Sequence, residues 1–206
     1  FRVAKIELSS MFYSPVAWLV LIIFALLIGY DYANVFDSQL RAQSLGSGLW
    51  NVSSAIYNSW MTGILKPILR NLYLYIPLIT MGLMSREYQS GSIKLLYSSP
   101  VKNSSIIFGK YLAMMCYGAA LMSIIGLNVL FSWLTVENFQ ISMLLVGMLG
   151  IYLLILAYSA IGLFMSTLTA YQVVAAVGTL AVLAVLNFIG DVGQGIDFVR
   201  DITFWL

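Results

Sequence analysis

The sequence predicts an all-α membrane protein, a polytopic helical bundle with an amphipathic N-terminal helix and five membrane spans. Of its 206 residues, 61% are hydrophobic and only 9% are charged, and the mean hydropathy is +0.94. Soluble domains carry about 25% charged and about 45–50% apolar residues. A soluble protein of this size would have to cover its surface with polar groups, so the composition indicates a protein that lies in a membrane.

The whole chain, 1–206, is predicted to form one transmembrane domain, because apolar stretches long enough to span a bilayer follow one another along it. In chain order the predicted elements are an interfacial helix at 1–13, span 1 at 14–33, an outer loop at 34–65, span 2 at 67–84, a cytoplasmic loop at 85–104, span 3 at 106–133, span 4 at 141–165, span 5 at 171–190 and an outer segment at 191–206.

The N-terminal stretch FRVAKIELSSMF has the period of an amphipathic helix. Arg2 and Glu7 lie away from its apolar face, which predicts a helix lying in the membrane interface. The alternative is an early extension of span 1. The apolar face consists of Phe1, Ala4, Leu8, Met11 and Phe12.

Span 1 is predicted to start near Pro15, because proline fits the first turn of a helix. The outer loop that follows is too polar to span the membrane, although its tryptophans favour the interface. Span 2 contains Pro77, which should kink it.

Spans 4 and 5 share an uncharged stretch from Asn138 to Gly190, which is too long for a single crossing of about 30 Å of hydrocarbon. The polar cluster Ser166–Gln172 is the expected turn between them. The chain starts with Phe1 rather than Met and ends in an apolar run, and we expect a sixth span to lie beyond the given residues or to be missing here.

Basic residues set the orientation, because Lys and Arg in short loops mark the cytoplasmic side. With five spans, one side receives the N-terminus, the 85–110 segment and the turn near 168. That side carries more basic residues than the other, so we expect it, and the N-terminus, to be cytoplasmic. Its basic residues are Arg2, Lys5, Arg86, Lys94, Lys102 and Lys110. The basic residues expected on the opposite side are Arg41, Lys66, Arg70 and Arg200.

The cytoplasmic loop has more organisation than a topology anchor needs, although an anchor to anionic lipids remains the simpler alternative. An apolar patch between Gly91 and Pro100 predicts one or two helical turns that dock on a cytoplasmic partner. Pro100 prevents that helix from running on. The patch consists of Ile93, Leu95, Leu96 and Tyr97.

Three charges near the spans call for partners. Glu87 is expected to pair with a basic group nearby or on the N-terminal helix, for example Lys5 or Arg2, because a charge at this depth is costly unless paired; the alternative is a solvated acid. Lys66 and Arg70 lie four residues apart, and they either snorkel to the outer head groups or line a pathway for an anionic group.

Several kinds of chemistry lack the residues they need. The chain has no histidine and one cysteine, Cys116, which rules out an internal disulfide and a His- or Cys-clustered metal site. It has no G-x-x-x-x-G-K-[ST] phosphate-binding loop, so it would have to take ATP energy from another subunit. A membrane-embedded enzyme is disfavoured, and so is a channel or secondary transporter, which usually carries midplane ionisable groups.

The loop and its flanks resemble the signature of ABC-2 type transporter permeases, the membrane subunits of one class of ABC transporter. The matching positions are Glu87 at the end of span 2, Gly91-Ser92, Leu95-Leu96, Pro100-Val101, and Gly109-Lys110 at the entry to span 3. The opening IELSSMFYSPVAWLVLIIFALL is similar to the gliding-motility-associated branch. Ser92 stands where Thr is commoner.

This resemblance implies a six-span fold with an N-terminal elbow helix and a coupling helix, from Glu87 to Tyr97, that inserts into an ATPase subunit. It implies two ATPase copies that hold ATP and Mg, a second permease subunit, and the inner membrane of a bacterium as the location. The expected function is export of an unidentified substrate. The alternative is transmission of ATPase work to an outer-face partner protein. No nucleic-acid partner is expected.

Overall fold

The computed structural model describes residues 2–44, 65–94, 103–135 and 141–193, and these residues form helices and short turns without any strand. The predicted all-α membrane architecture is confirmed. The helices are α1 (Arg2–Tyr13), α2 (Pro15–Ser44), α3 (Leu65–Thr80), α4 (Ser85–Ser90), α5 (Asn103–Thr135), α6 (Ile141–Leu168) and α7 (Gln172–Gly193).

Among the described helices, four are long and apolar enough to cross a membrane. Their apolar segments have mean hydropathies between 1.8 and 2.2, and only 17–33% of the most apolar stretch of each segment is buried within the chain. The exposed remainder is largely apolar, which suits contact with lipid. These segments are Pro15–Asn34, Asn103–Leu134, Leu145–Leu168 and Gln172–Ile189.

Helix α1 meets α2 at a sharp corner at Ser14. Proline disfavours helical backbone at the residue before it, and Pro15 follows directly. The corner is held by the Trp18 indole, whose Nε1 donates a hydrogen bond of 2.8 Å to the Phe12 carbonyl. Helix α2 then continues to Ser44, so the first part of the predicted outer loop is helical.

Helix α3 occupies the middle of the bundle and packs against α2, α6 and α7. At 16 residues it is shorter than the predicted span 2. It contains Pro77 and ends at Thr80, where a turn over 81–84 leads into α4. Its buried side chains recur at helical spacing, and they are Ile68, Leu72, Tyr75, Ile76 and Ile79.

Helices α3 and α6 touch at a point where no side chain fits. A Cβ atom added to Gly162 would lie 2.2 Å from Oγ1 of the buried Thr80. Only glycine therefore allows this approach. The contact fixes the end of α3 against α6, one turn before α4 begins.

Helix α5 is tied to α2 at two levels by buried hydroxyl groups. The Tyr117 hydroxyl donates to the Ala17 carbonyl at 2.8 Å, and the hydroxyl oxygens of Tyr32 and Ser132 lie 2.8 Å apart. In the spanning region no water competes for these groups, so such bonds stabilise helix association. Helix α5 also packs along α1 more extensively than any other helix does.

The turn between α6 and α7 covers residues 169–171, within the polar cluster Ser166–Gln172. Ser166 itself does not belong to that turn. It lies inside α6 with its side chain buried, because its hydroxyl is engaged by the chain between α3 and α4.

Candidate functional site

A buried lysine holds two acids from different parts of the chain. The ammonium of Lys110 lies 2.6 Å from Oε1 of Glu7 and 2.6 Å from Oε1 of Glu87. The Lys110 side chain is 1% exposed, whereas each carboxylate side chain is 21% exposed. We refer to these three residues as the Glu7–Lys110–Glu87 cluster. It joins α1, α4 and α5 at one point.

Lys110 lies on the apolar buried face of α5. Ile106, Ala113 and Met114 lie three or four residues from Lys110 and Tyr117 lies seven, so all share its face, and all are buried. An ammonium at this position would be strongly unfavourable without partners. The two carboxylates therefore compensate the charge of Lys110 and allow this part of α5 to pack against α1 and α4.

The cluster carries an excess of negative charge, with two carboxylates against one ammonium. The second oxygen of Glu87, Oε2, is buried and has no hydrogen-bond partner within the part of the chain that the structure describes. Removing one member of a buried ion pair is strongly destabilising, because the remaining charge is left without compensation. Replacing any one of the three residues should therefore destabilise the folded arrangement of the other two.

The start of helix α4 is capped by a hydroxyl group from α6. The Ser166 Oγ accepts hydrogen bonds from the backbone N–H of Met84, at 2.9 Å, and of Ser85, at 3.1 Å. It donates to the Met81 carbonyl at 3.0 Å. The first amides of a helix lack partners within the helix, so Ser166 supplies a cap from a neighbouring helix. Helix α4 is thereby attached to α6 at its start and to α5 through Glu87.

Gly91 ends α4. Its backbone lies in the left-handed region, with φ 72° and ψ 1°, and its N–H donates to the Tyr88 carbonyl. Glycine adopts this conformation without the steric cost that other residues pay. Ser92 follows, and its hydroxyl oxygen lies 2.8 Å from that of Ser90.

The predicted coupling helix, Glu87 to Tyr97, is therefore not a single helix, because α4 ends at Ser90 and the chain turns at Gly91. Leu95, Leu96, Tyr97 and Pro100 lie outside the described residues, as do the side chains of Lys66 and Arg70. Gly109 is buried in α5 beside Lys110. Asn103 begins α5, and Ser104 and Ser105 lie within its first turn.

Of the partners expected for Glu87, the structure shows a nearby basic group, and the side chain of Arg2 lies outside the described residues. Lys5 is exposed, and the described ion pair of Glu87 is with Lys110. Glu7 was assigned to the polar side of α1, yet it contacts Lys110. The signal that could have found the pairing is the position of Lys110 on the buried face of α5, which calls for an acidic partner from a packed helix.

Family comparison identifies the kind of protein to which this site belongs. A family model described as "ABC-2 family transporter protein" matches residues 1–196. No curated protein and no solved structure matches the chain significantly. ABC-2 permeases are membrane subunits that are not themselves ATPases, and the family implies partnership with an ABC ATPase subunit. The match covers nearly the whole chain, and the chain therefore belongs to the ABC-2 family of transporter membrane proteins.

Proposed function

We propose that the chain is the permease subunit of an exporter, and that the Glu7–Lys110–Glu87 cluster couples ATP hydrolysis on a separate ATPase subunit to movement of the spans. The observation that carries this proposal is the contact of one buried ammonium with acids from α1 and α4. ATP and Mg would be held by the ATPase, present in two copies. The segment that begins with α4 would contact it.

The coupling follows from the cost of separating the three charges. If a closing ATPase displaces α4, Glu87 either takes Lys110 with it or leaves an ammonium buried without full compensation. The second outcome is strongly unfavourable. Helix α5 should therefore follow α4, and α1 should follow α5 through Glu7. Ser166 gives α6 a second connection to the start of α4.

The orientation of the complex is part of the same proposal. Glu87 follows the end of α3, Lys110 lies near the start of α5, and Ser166 lies near the end of α6. In an alternating bundle these ends share one side, which supports a cytoplasmic N-terminus and a cytoplasmic α4. We place the protein in a bacterial inner membrane, paired with a second permease subunit that is either identical or related.

Affinity purification of the full-length protein in detergent tests the proposal, combined with mass spectrometry of bound proteins and an ATPase assay of the complex. We expect an ABC ATPase subunit to copurify and to hydrolyse ATP. Glu87→Ala should leave membrane insertion intact and weaken ATP-coupled transport. The matched control is Asp37→Ala, because Asp37 is an exposed carboxylate on α2, outside the segment that would contact the ATPase.

Two results would count against the proposal. One is purification of the chain without any ATPase. The other is normal ATP-coupled transport by the Glu87→Ala variant. Copurification of an outer-face protein in a complex that hydrolyses ATP but moves no solute would replace export with the transmission of work to that partner.

A further inference from the structure

A cleft opens to the exterior beside the Glu7–Lys110–Glu87 cluster. Its walls come from α1, the start of α2, the end of α3, the 81–84 turn, α4 and the start of α7. Its polar side includes Glu7, Ser10, Ser14 and Arg86, and its apolar side includes Val16 and Leu78. The cleft thus presents two charges of opposite sign and two hydroxyl groups next to an apolar wall.

The two charges are available to a ligand. Glu7 contacts Lys110 through Oε1. The Arg86 side chain is exposed and lies against Gly82, with Nη2 3.2 Å from the position that a Cβ would occupy there. Within the described residues Glu7 and Arg86 form no ion pair with each other, and Arg86 has no ion-pair partner. A ligand with both a cationic and an anionic group would complement them.

The depth of the cleft matches the boundary between head groups and hydrocarbon. The apolar segments of α2 and α7 start at Pro15 and Gln172, next to cleft residues. Val16 is 37% exposed and Leu78 is 42% exposed, so the apolar wall continues onto the surface that faces lipid. Polar groups at one end and an apolar surface at the other are the arrangement that a phospholipid needs.

We infer that this cleft binds the head group of one aminophospholipid of the phosphatidylethanolamine type. The phosphate contacts the Arg86 guanidinium, which donates fork-shaped hydrogen bonds to such oxygens. The primary ammonium contacts the Glu7 carboxylate, the hydroxyl groups of Ser10 and Ser14 face the glycerol oxygens, and an acyl chain follows Val16 and Leu78.

The charges of the cleft decide between head groups. An anionic lipid such as phosphatidylglycerol offers Glu7 only neutral hydroxyl groups and no cation, although Glu7 belongs to a cluster with excess negative charge. The quaternary ammonium of phosphatidylcholine has no N–H to donate to a carboxylate. Since hydrogen bonds between charged groups are the strong ones, phosphatidylethanolamine should bind most tightly of the three.

Native mass spectrometry of the full-length protein in detergent tests this inference. The probes are 1-palmitoyl-2-oleoyl phosphatidylethanolamine, phosphatidylcholine and phosphatidylglycerol, each titrated separately, with soluble phosphoethanolamine as a competitor. We expect one phosphatidylethanolamine to be retained per chain, and we expect Arg86→Gln to weaken that retention about tenfold, the usual size for loss of one charge-assisted contact. Lys94→Gln is the control, because it removes an exposed charge outside the cleft and should change nothing.

The outcomes separate the ligand classes. Retention of phosphatidylethanolamine that is unchanged in Arg86→Gln overturns the site, and equal retention of the three lipids overturns the recognition of its head group. Displacement by soluble phosphoethanolamine at equimolar concentration overturns the role of the acyl chain and assigns the cleft to a free zwitterion. Because Arg86 is exposed, its replacement should leave the fold intact, and the unchanged melting temperature of the variant checks this.

Discussion

Glu87 on the short helix α4 and Lys110 on the long helix α5 form an ion pair of 2.6 Å between residues that are 23 positions apart in the sequence. The same ammonium contacts Glu7 of the N-terminal helix at 2.6 Å. One buried charge therefore fixes the relative positions of three helices on one side of the bundle. Changes at these residues should affect both stability and communication between the helices.

Lys110→Met should lower the free energy of unfolding by about 3 kcal/mol, measured in mixed detergent micelles. The substitution keeps the volume and leaves two carboxylates without a cation, and breaking a buried pair costs about 3–5 kcal/mol. The lower end applies because both carboxylates are 21% exposed. Adding Glu7→Gln and Glu87→Gln to Lys110→Met should recover part of the loss, since neutral side chains remove the repulsion.

Lys94→Met serves as the control for that experiment, because Lys94 is exposed and belongs to the same segment as Glu87. Equal effects of the two lysine substitutions on unfolding would contradict the role of Lys110 as the common partner of the two acids.

Gly91→Ala should destabilise the end of α4 by about 1–2 kcal/mol, the usual cost of left-handed backbone for a residue with a Cβ. Among the described residues nothing lies within 4 Å of a Cβ added there, so the expected effect comes from the backbone at φ +72°. Gly91→Asn should cost less. Proteolysis between α4 and α5 reports the change, and Gly29→Ala, also in open space, should leave the cleavage rate unaltered.

Gly162→Ala should destabilise the bundle by about 1–3 kcal/mol, as overpacking usually does. The added Cβ would lie 2.2 Å from Thr80 Oγ1 and 2.6 Å from Thr80 Cβ. Thr80→Ala should therefore rescue only part of the loss, because the second clash remains. Gly150→Ala on the same helix meets nothing within 4 Å in the part of the chain that the structure describes, and a similar loss of stability there would refute the close contact between α3 and α6.

Ser166→Ala should cost about 1–3 kcal/mol, because the N–H groups of Met84 and Ser85 lose their acceptor in a buried place. Hydrogen exchange should increase at these two amides in particular. Ser123→Ala is the matched control, since its exposed hydroxyl bonds only to its own helix. Unchanged protection of the two amides in Ser166→Ala would show that α4 does not depend on α6.

Hydropathy and proline positions were sufficient to predict an all-α bundle, because the period and length of apolar stretches are local properties. The Glu7–Lys110–Glu87 cluster was harder to predict from the sequence. Lys110 was identified through the family signature, but its two partners depend on how α1 and α4 pack against α5. Glu7 lies at the edge of the apolar face of α1, where a helical projection alone does not separate solvent from a packed neighbour.

The end of α4 at Gly91 is a second feature that the sequence pattern did not predict. The sequence placed Gly91 inside a predicted helix from Glu87 to Tyr97, whereas the glycine ends the helix with positive φ. Glycine is compatible with both roles. Ser166 was likewise assigned to a turn because its neighbours are polar. Its hydrogen bonds to the backbone N–H groups of Met84 and Ser85 depend on the tertiary structure, which the sequence pattern does not reveal.

A charge exchange in the complex with the ATPase tests the central claim most directly. Glu87→Lys and Lys110→Glu should each lower transport-coupled ATPase activity about tenfold or more, because each variant places like charges together. The double variant keeps two acids and one base in the cluster and should recover much of the activity, with Asp37→Lys, a reversal of an exposed charge on α2, as the control. Normal activity of both single variants, or no recovery in a double variant that folds and retains the ATPase, would contradict coupling through this ion pair.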